Sequence, residues 1–572
     1  SPAWTCPSGA CCRNIPPGPA TMTLRNQLLA GMTVLFGVRA SLAFLRIGPV
    51  NVADEIGYLT NARLLAGGPR GQMVWAPFYH GGYSLLIAPL LRLDLDPTLT
   101  YRLILMVNAL LAAALLPLLY LLLTRSFAIS PGVAFSAALA GAAYPSITVW
   151  SQMAMPENLL TPLIVGWLLL FGALVRTPSQ AVRVLCAVGA AGAAVAASAV
   201  HGRMIFLVPL TGIALVTLAL RGRLGKPALA GALAFLLAGL YAAHRLDQFL
   251  LARNYPGRVF HEFTRPIAAI ASLDGVRAVA RNLVGHTWYL LVATLGLVAL
   301  YLVIEGFPRL VRGVRRDAEE PDMILLLLLA TTAGLLAVSV MSFPVLGRSH
   351  HLIYGRYFDP AVPALVAVSL ARLMTLKRLP RLRWLLAGLA ILTLAVAALR
   401  AGSSASGAQR QHVASLPFIT GDLEPWVLLG AGAVACAALG LFGFLLRTRP
   451  AALAPVTLGL FALIGAYSES DAVLVRQRSF YPAGWTSPRD AAEENHVRQV
   501  AYDMDHLERT GVWIYQWFLP RTRVVRYWGS REQPPARYFI SSQGWQREHP
   551  GESATALWLD PNRDQALWRL GP

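Results

Sequence analysis

Apolar residues come along most of this chain in runs too long and too unbroken for the interior of an ordinary water-soluble domain. From Leu28 to about Tyr467, stretches of roughly 17 to 25 apolar residues recur, each able to cross ~30 Å of hydrocarbon as a helix. The pattern predicts spans near 26–47, 101–124, 131–150, 157–175, 181–200, 203–220, 227–245, 285–305, 322–343, 358–376, 383–399, 425–446 and 451–467, about thirteen helices. The texture then changes. "DAAEENHVRQVAYDMDHLERTG" reads as an amphipathic helix, and "VWIYQWFL", "TRVVRYWG", "ARYFISS", "TALWLD" and "ALWRL" read as short strands between Pro, Gly, Asn and charged turns. The expected organisation is a disordered leader or artefact at 1–24, a polytopic α-helical membrane domain at 25–467, and a small α/β domain at 468–572.

Composition agrees: 572 residues, 56% hydrophobic and 14% charged, with mean hydropathy +0.53, exclude an ordinary soluble protein. The net charge of +20 invites a nucleic-acid partner, but its placement argues against one. With the N-terminus inside, alternate loops hold Arg125; Arg176 and Arg183; Arg221, Arg223 and Lys226; Arg309, Arg312, Arg315 and Arg316; Lys377, Arg378, Arg381 and Arg383; then Arg447 and Arg449. This is the positive-inside pattern repeated at each cytoplasmic turn. Three of the five cysteines precede Met22, and Cys186 and Cys436 lie in apolar spans, so neither a disulfide framework nor a zinc spacing is visible. Arg- and Ala-rich composition suggests a high-GC bacterial source, hence the bacterial inner membrane.

The same topology places 48–100, 151–156, 246–284, 344–357, 400–424 and the C-terminal domain on the far side. The first of these loops carries Asp54, Glu55, Tyr58 and Arg63, then "WAPFYHGGYSLLIAPLLRL" with His80 and Tyr83. Glu157 stands at the outer mouth of a span, and His201 and Arg203 at a turn between two. The loop 246–284 holds Arg265 and Arg281, and "GRSHHLIYGRYFDP" supplies Arg348, His350, His351, Tyr354, Arg356 and Tyr357. Outer loops this rich in arginine break the positive-inside bias, and an anionic partner is the simplest reason: the guanidinium fork fits phosphate oxygens bidentately. Acids beside a bilayer are costly unless they face water or a polar cavity. Outward acids together with outward arginines describe a site for a phosphate-bearing, membrane-embedded substrate.

"ADEIGYLTNARLLAGG", "PFYHGGYSLLIAPLLRL", "MPENLLTPLIVGWLLL" and "YGRYFDPAVPALVAVS" occur in the order and on the side expected of the GT-C superfamily of membrane glycosyltransferases, which the stretch 25–470 resembles. The overall plan is similar to lipid A aminoarabinose transferases and protein O-mannosyltransferases. The resemblance implies inverting transfer of a sugar from a polyprenyl-phosphate donor to a lipid, glycan or protein acceptor at the outer face of the bilayer. It implies Asp54, with Glu55 and Glu157, as the catalytic acids, Asp54 being the base. Arg356, Tyr357, Arg265, Arg281 and Arg348 would bind the donor phosphate, and Tyr58, His80, Tyr83, His201, Arg203, His351 and Tyr354 the remaining substrate. Glu157 would orient the acceptor, or a divalent metal ion if one is used. One departure stands at "YHGG", where the aminoarabinose transferases carry a Glu-Lys-Pro stretch.

Other readings remain open. Asp54, Glu55 and Glu157 could act only as helix N-terminal acids, and Arg356 as a snorkelling anchor. The adjacent His350 and His351 lack a third spaced metal ligand. "GAGAVA" at 430–435 mimics a dinucleotide fingerprint but lies in a span, where small residues serve helix packing. A transporter or flippase of an anionic lipid-linked molecule, or a ligase or polymerase taking a diphosphate-linked glycan, would also want outward arginines.

Overall fold

The computed structural model describes residues 23–73, 76–256, 271–315, 318–343, 346–376, 382–417, 423–509, 511–560 and 562–571. The expected leader at 1–24 falls almost wholly outside these residues. Ten described helices are long and apolar enough to cross a membrane, or twelve when each of two bent pairs is taken as one span. The chain is a multi-pass membrane protein.

In chain order the first ten helices are α1 (Leu24–Phe44), α2 (Val52–Leu65), α3 (Gly81–Leu91), α4 (Pro97–Leu121), α5 (Pro131–Ala142), α6 (Pro145–Ser151), α7 (Glu157–Arg176), α8 (Gln180–Val200), α9 (Leu207–Leu220) and α10 (Lys226–Asn254). The bends have local causes. Pro145 forces Tyr144 out of the helical region, so α5 and α6 meet at 53°. The helix Leu273–Ala293 ends where Leu295 and Gly296 both take positive φ, and the chain resumes at 94°. The segment expected to span at 358–376 forms a 3-10 turn, Asp359–Ala361, and a twelve-residue helix, Val362–Leu373. That helix is ~18 Å long and buried along nearly its whole length, so protein rather than lipid surrounds it.

The loops sort to two ends. At one, Arg176 pairs with Glu320, Arg221 donates to the Val314 carbonyl at 3.2 Å, Arg309 and Arg312 grip Asp322 at 2.9 Å each, and Arg372 reaches the Phe127 carbonyl at 3.2 Å. These are the turns predicted to be cytoplasmic. At the other end, the Ala154 amide donates to Glu55 at 2.6 Å, the Ser146 amide to Ser415 at 3.1 Å, and the Gly355 and Arg356 amides to the His412 carbonyl at 3.1 Å each. The predicted outer loops are thus laced together.

The small C-terminal domain rests on that second end. Its five-stranded sheet has the order β2-β1-β3-β5-β4, from β1 (Gln499–Asp503), β2 (Arg523–Tyr527), β3 (Tyr538–Ser541), β4 (Ala554–Asp560) and β5 (Gln565–Leu570). β1 runs parallel to β2 and β3, and β5 antiparallel to β3 and β4. Two expectations fail here. The amphipathic stretch is helical only over Arg489–Glu494, ends at His496 with φ +50°, and continues as β1. The aromatic run read as a strand is instead the helix Gly511–Phe518. Its buried residues include Val512, Ile514, Tyr515, Trp517 and Phe518, and tertiary contacts on all sides override the strand propensity of aromatic and β-branched side chains. Gln516 of this helix accepts from the Gln72 amide at 2.8 Å and Tyr481 donates to the Pro49 carbonyl at 2.8 Å, so the domain and the segment between α1 and α4 share an interface.

Candidate active site

α2 follows α1 after a short turn, with Asn51 as its cap residue and Asp54 and Glu55 in its first turn. Successive residues leave a helix ~100° apart, and the two acids go to different places. Glu55 is fully buried and accepts four hydrogen bonds: from the Val50 and Asn51 amides at 2.8 and 2.7 Å, the Ala154 amide at 2.6 Å and the Tyr101 hydroxyl at 2.5 Å. It fastens the first outer loop to α4 and to the turn before α7. Both oxygens of Glu55, expected among the catalytic acids, are engaged by these donors, and it is not among the residues that line the cavity Asp54 faces.

Asp54 faces a cavity of about 670 Å³. Its Oδ1 accepts from the Tyr79 hydroxyl at 2.8 Å, and its Oδ2 meets the Arg356 guanidinium and, at 3.4 Å, the Asn51 amide group. Burial pushes its pKa up, but the Arg356 charge and the hydrogen bonds from Arg356, Tyr79 and Asn51 outweigh that, leaving it below the usual carboxylate value. Tyr79 can lie this close only because residue 57 is glycine: a Cβ there would sit 2.0 Å from the Tyr79 ring. Asn61, one turn further along α2, holds the Tyr79 carbonyl at 2.7 Å.

Arg356 is 4% exposed and bridges two acids. Its Nη1 meets Asp54 while its Nε donates to Glu157 Oε1 at 2.6 Å. The same Glu157 oxygen accepts from Arg203 Nη2 at 3.0 Å, and the Arg203 guanidinium lies 4.9 Å from the Tyr357 ring centroid. Two carboxylates and two guanidiniums thus form one balanced chain, from Asp54 and Arg356 at the cavity wall to Glu157 and Arg203 beneath it. Arg356 was expected to meet a phosphate; it is instead committed to carboxylates.

The cavity gathers Asp54, His201, Arg348, His351, Tyr354, Arg356 and Tyr357 among the residues singled out in sequence. Glu157 and Arg203 lie one layer beneath. Tyr58 and Tyr83 are core residues, Tyr58 edge-on to Tyr79 and Tyr83 with Tyr83 bonded to Asn108 at 3.0 Å. His80 pairs with Asp247 of α10 at 2.7 Å, away from the cavity lining. Arg281 lies against Asn282 and does not line the cavity. Arg265 lies outside the described residues. Sequence reasoning missed Tyr79, His412, Arg476, Glu508 and Trp513, all of which line it. Glu508 and Trp513 come from the small domain, and Arg476 from the helical continuation of the last span, Pro450–Phe480; nothing local in the sequence marks them.

The cavity wall carries three arginines, Arg348, Arg356 and Arg476, and two carboxylates, Asp54 and Glu508. Arg348 and Arg476 line it, and neither makes an ion pair among the described residues. Burial and the neighbouring His351 and Arg348 push His350 down to about 3, and burial with His350 and Arg356 holds His412 well below the ordinary imidazole value, so both imidazoles are neutral at physiological pH. The His350 and Tyr354 rings each stack on His412, with centroids at 4.7 and 4.9 Å. No group of three or more His, Cys, Asp or Glu side chains suited to a metal ion occurs among the described residues, and Asp54 and Glu157 are bridged by a guanidinium. These residues do not fit a divalent metal site.

Among solved structures, the chain is similar to ArnT from Cupriavidus metallidurans bound to undecaprenyl phosphate, with TM-score 0.52 and 16% identity over 94% of this chain and 98% of that one. The apo state of the same protein gives TM-score 0.50 with the same identity and coverage. This is the GT-C fold. No protein-family profile and no curated protein matches the chain. In this chain the order is a first span, the helix α2 bearing Asp54 and Glu55, a membrane bundle, and a small domain seated over the loops at one end.

Proposed function

We propose that the chain is an inverting glycosyltransferase that moves a sugar from a polyprenyl-phosphate donor to a lipid, glycan or protein acceptor at the outer face of a bacterial inner membrane. The observation that carries this reading is Asp54: a carboxylate held below its ordinary pKa on the wall of a cavity that also presents Arg348 and Arg476, neither of them in an ion pair among the described residues.

In the proposed reaction, the acceptor hydroxyl approaches Asp54 and transfers its proton there as its oxygen bonds to the anomeric carbon. The bond from that carbon to the phosphate oxygen breaks on the opposite face, and polyprenyl phosphate leaves with the negative charge. Charge develops on the leaving phosphate in an oxocarbenium-like transition state, and preorganised guanidiniums in a partly desolvated cavity are suited to stabilise it. Arg348 and Arg476 take that role, since Arg356 is held by Asp54 and Glu157. Arg356 and Glu157 orient Asp54, and Tyr79 aims its second oxygen. The bare cavity lining is polar and aromatic, as a sugar requires.

The test is transfer from a panel of radiolabelled polyprenyl-monophosphate sugars in membranes holding the wild type or Asp54→Asn, with and without chelator. The wild type should transfer and Asp54→Asn should fall by at least about 10³-fold; full activity in the variant would sink the assignment of the base. Silence from both proteins across the panel would favour diphosphate-linked donors, and then transport.

A further inference from the structure

A second cavity, of about 440 Å³, lies where the small domain meets the first outer loop. Its walls are the last turn of α2, the turn between α3 and α4, and the end of the helix Gly511–Phe518. Arg63 lines it and is 5% exposed. One of its terminal nitrogens donates to the Gln516 carbonyl, while its Nε and its other terminal nitrogen have no partner among the described residues. Trp517 lines the same cavity at 7% exposed, and its indole N–H is also unpartnered. Arg92 adds a second cation. The one carboxylate in the lining, Asp94, is engaged by Arg521. Burial lowers the Arg63 pKa to about 10, with no carboxylate opposing the shift.

A buried guanidinium without a counter-charge is costly, and the polar groups left over here are all donors. That chemistry refuses a cation and asks for an oxyanion, whose lone pairs match the guanidinium fork. The surroundings narrow the source. Leu91, Leu95 and Pro97 also line the cavity, and Leu93 and Leu99 beside them are 57% and 43% exposed, as lipid-facing leucines are. Arg63 stands nine residues from Asp54 along α2, ~14 Å of axial rise, so this cavity is separate from the one described above.

We infer that the Arg63 cavity binds the phosphate-bearing headgroup of an amphiphile, at a site distinct from the Asp54 cavity. The inference needs no glycosyl transfer, and its test reads binding alone.

The full chain in detergent is titrated with dihexanoyl phosphatidylglycerol or with inorganic phosphate while its thermal midpoint is followed. Saturating lipid should raise the midpoint by about 2 °C or more, in Asp54→Asn as in the wild type. Arg63→Gln should weaken the apparent Kd about 10-fold or more, and Trp517→Phe and Arg92→Gln about 3- to 10-fold each. The latter two leave the Arg63 bond to Gln516 in place, so they decide the matter if Arg63→Gln fails to fold. A shift with the lipid and none with equal phosphate assigns the amphiphile; an equal shift with phosphate supports the oxyanion site with a free anion as its source. No shift with either probe, unchanged Kd in Trp517→Phe and Arg92→Gln, or loss of binding in Asp54→Asn would overturn the inference.

Discussion

Two neighbouring carboxylates on α2 differ in everything but chemistry. Asp54 has one oxygen on Tyr79 and the other shared with Arg356 and Asn51, at a cavity wall; Glu55 is enclosed by three backbone amides and a tyrosine. Glu55→Gln therefore turns an NH2 group toward at least one backbone N–H that cannot accept from it and should cost about 1–3 kcal/mol of stability, seen as a lower thermal midpoint, with most of kcat retained in the protein that stays folded. Loss of kcat with unchanged stability would make Glu55 a catalytic group after all. Because the folded pKa of Asp54 lies below its ordinary value of 3.8, its ion pair stabilises the protein above that value and is lost as pH falls through the lower, folded one. The proposed base is thus ionised across the working range. A kcat/KM profile flat from about pH 8 to 5 is expected, and an acid limb near 6 would assign the base to a histidine instead.

At the scale of elements, α2 owes its function to what it leaves out as much as to what it carries. Gly57 makes room for the Tyr79 ring, three residues along from Asp54 and on the same face. An alanine in a helix interior is ordinarily worth about 1 kcal/mol over glycine. Gly57→Ala should do the reverse: its Cβ displaces Tyr79, frees one Asp54 oxygen, and lowers kcat about 10-fold along with the thermal midpoint, measured on the purified variant. A stabilised, fully active variant would show that Tyr79 does not aim Asp54. The helix Gly511–Phe518 shows how neighbours decide an element. "VWIYQWFL" has strand propensity, but the run meets Arg63 of α2 and Gln72 through Gln516, and Tyr101 of α4 through Trp517, while Trp513 reaches the Asp54 cavity, a division of side chains that a half-buried strand could not provide. β2, β3, β4 and β5, whose runs are short and bounded by turn residues, lie where the pattern puts them.

At the scale of the whole molecule, the small domain completes the cavity rather than merely covering it, since Glu508 and Trp513 are part of its lining. Trp513→Ala should lower kcat/KM for the acceptor about 10-fold, while equilibrium binding of the donor stays within about twofold; an equal loss of donor binding would place Trp513 at the donor instead. Much of the plan was legible without coordinates. Apolar runs of membrane length, alternating basic turns, and acids and arginines concentrated in the remaining loops follow from one-dimensional rules, because a bilayer constrains length and charge along the chain itself. Asp54, Arg348 and Arg356 could be named for that reason. Which of them meet is a different matter. Arg356 lies 302 positions from Asp54 and 199 from Glu157, and only the folded bundle makes it a bridge between carboxylates, leaves Arg348 and Arg476 on the cavity wall without an ion pair among the described residues, and brings Trp513 to the same cavity. The amino-acid sequence by itself determined the membrane class, the division into two ends and the residue types available for chemistry; tertiary structure alone decided the partners, because hydrogen bonds and ion pairs act over a few ångströms and carry no record of distance along the chain.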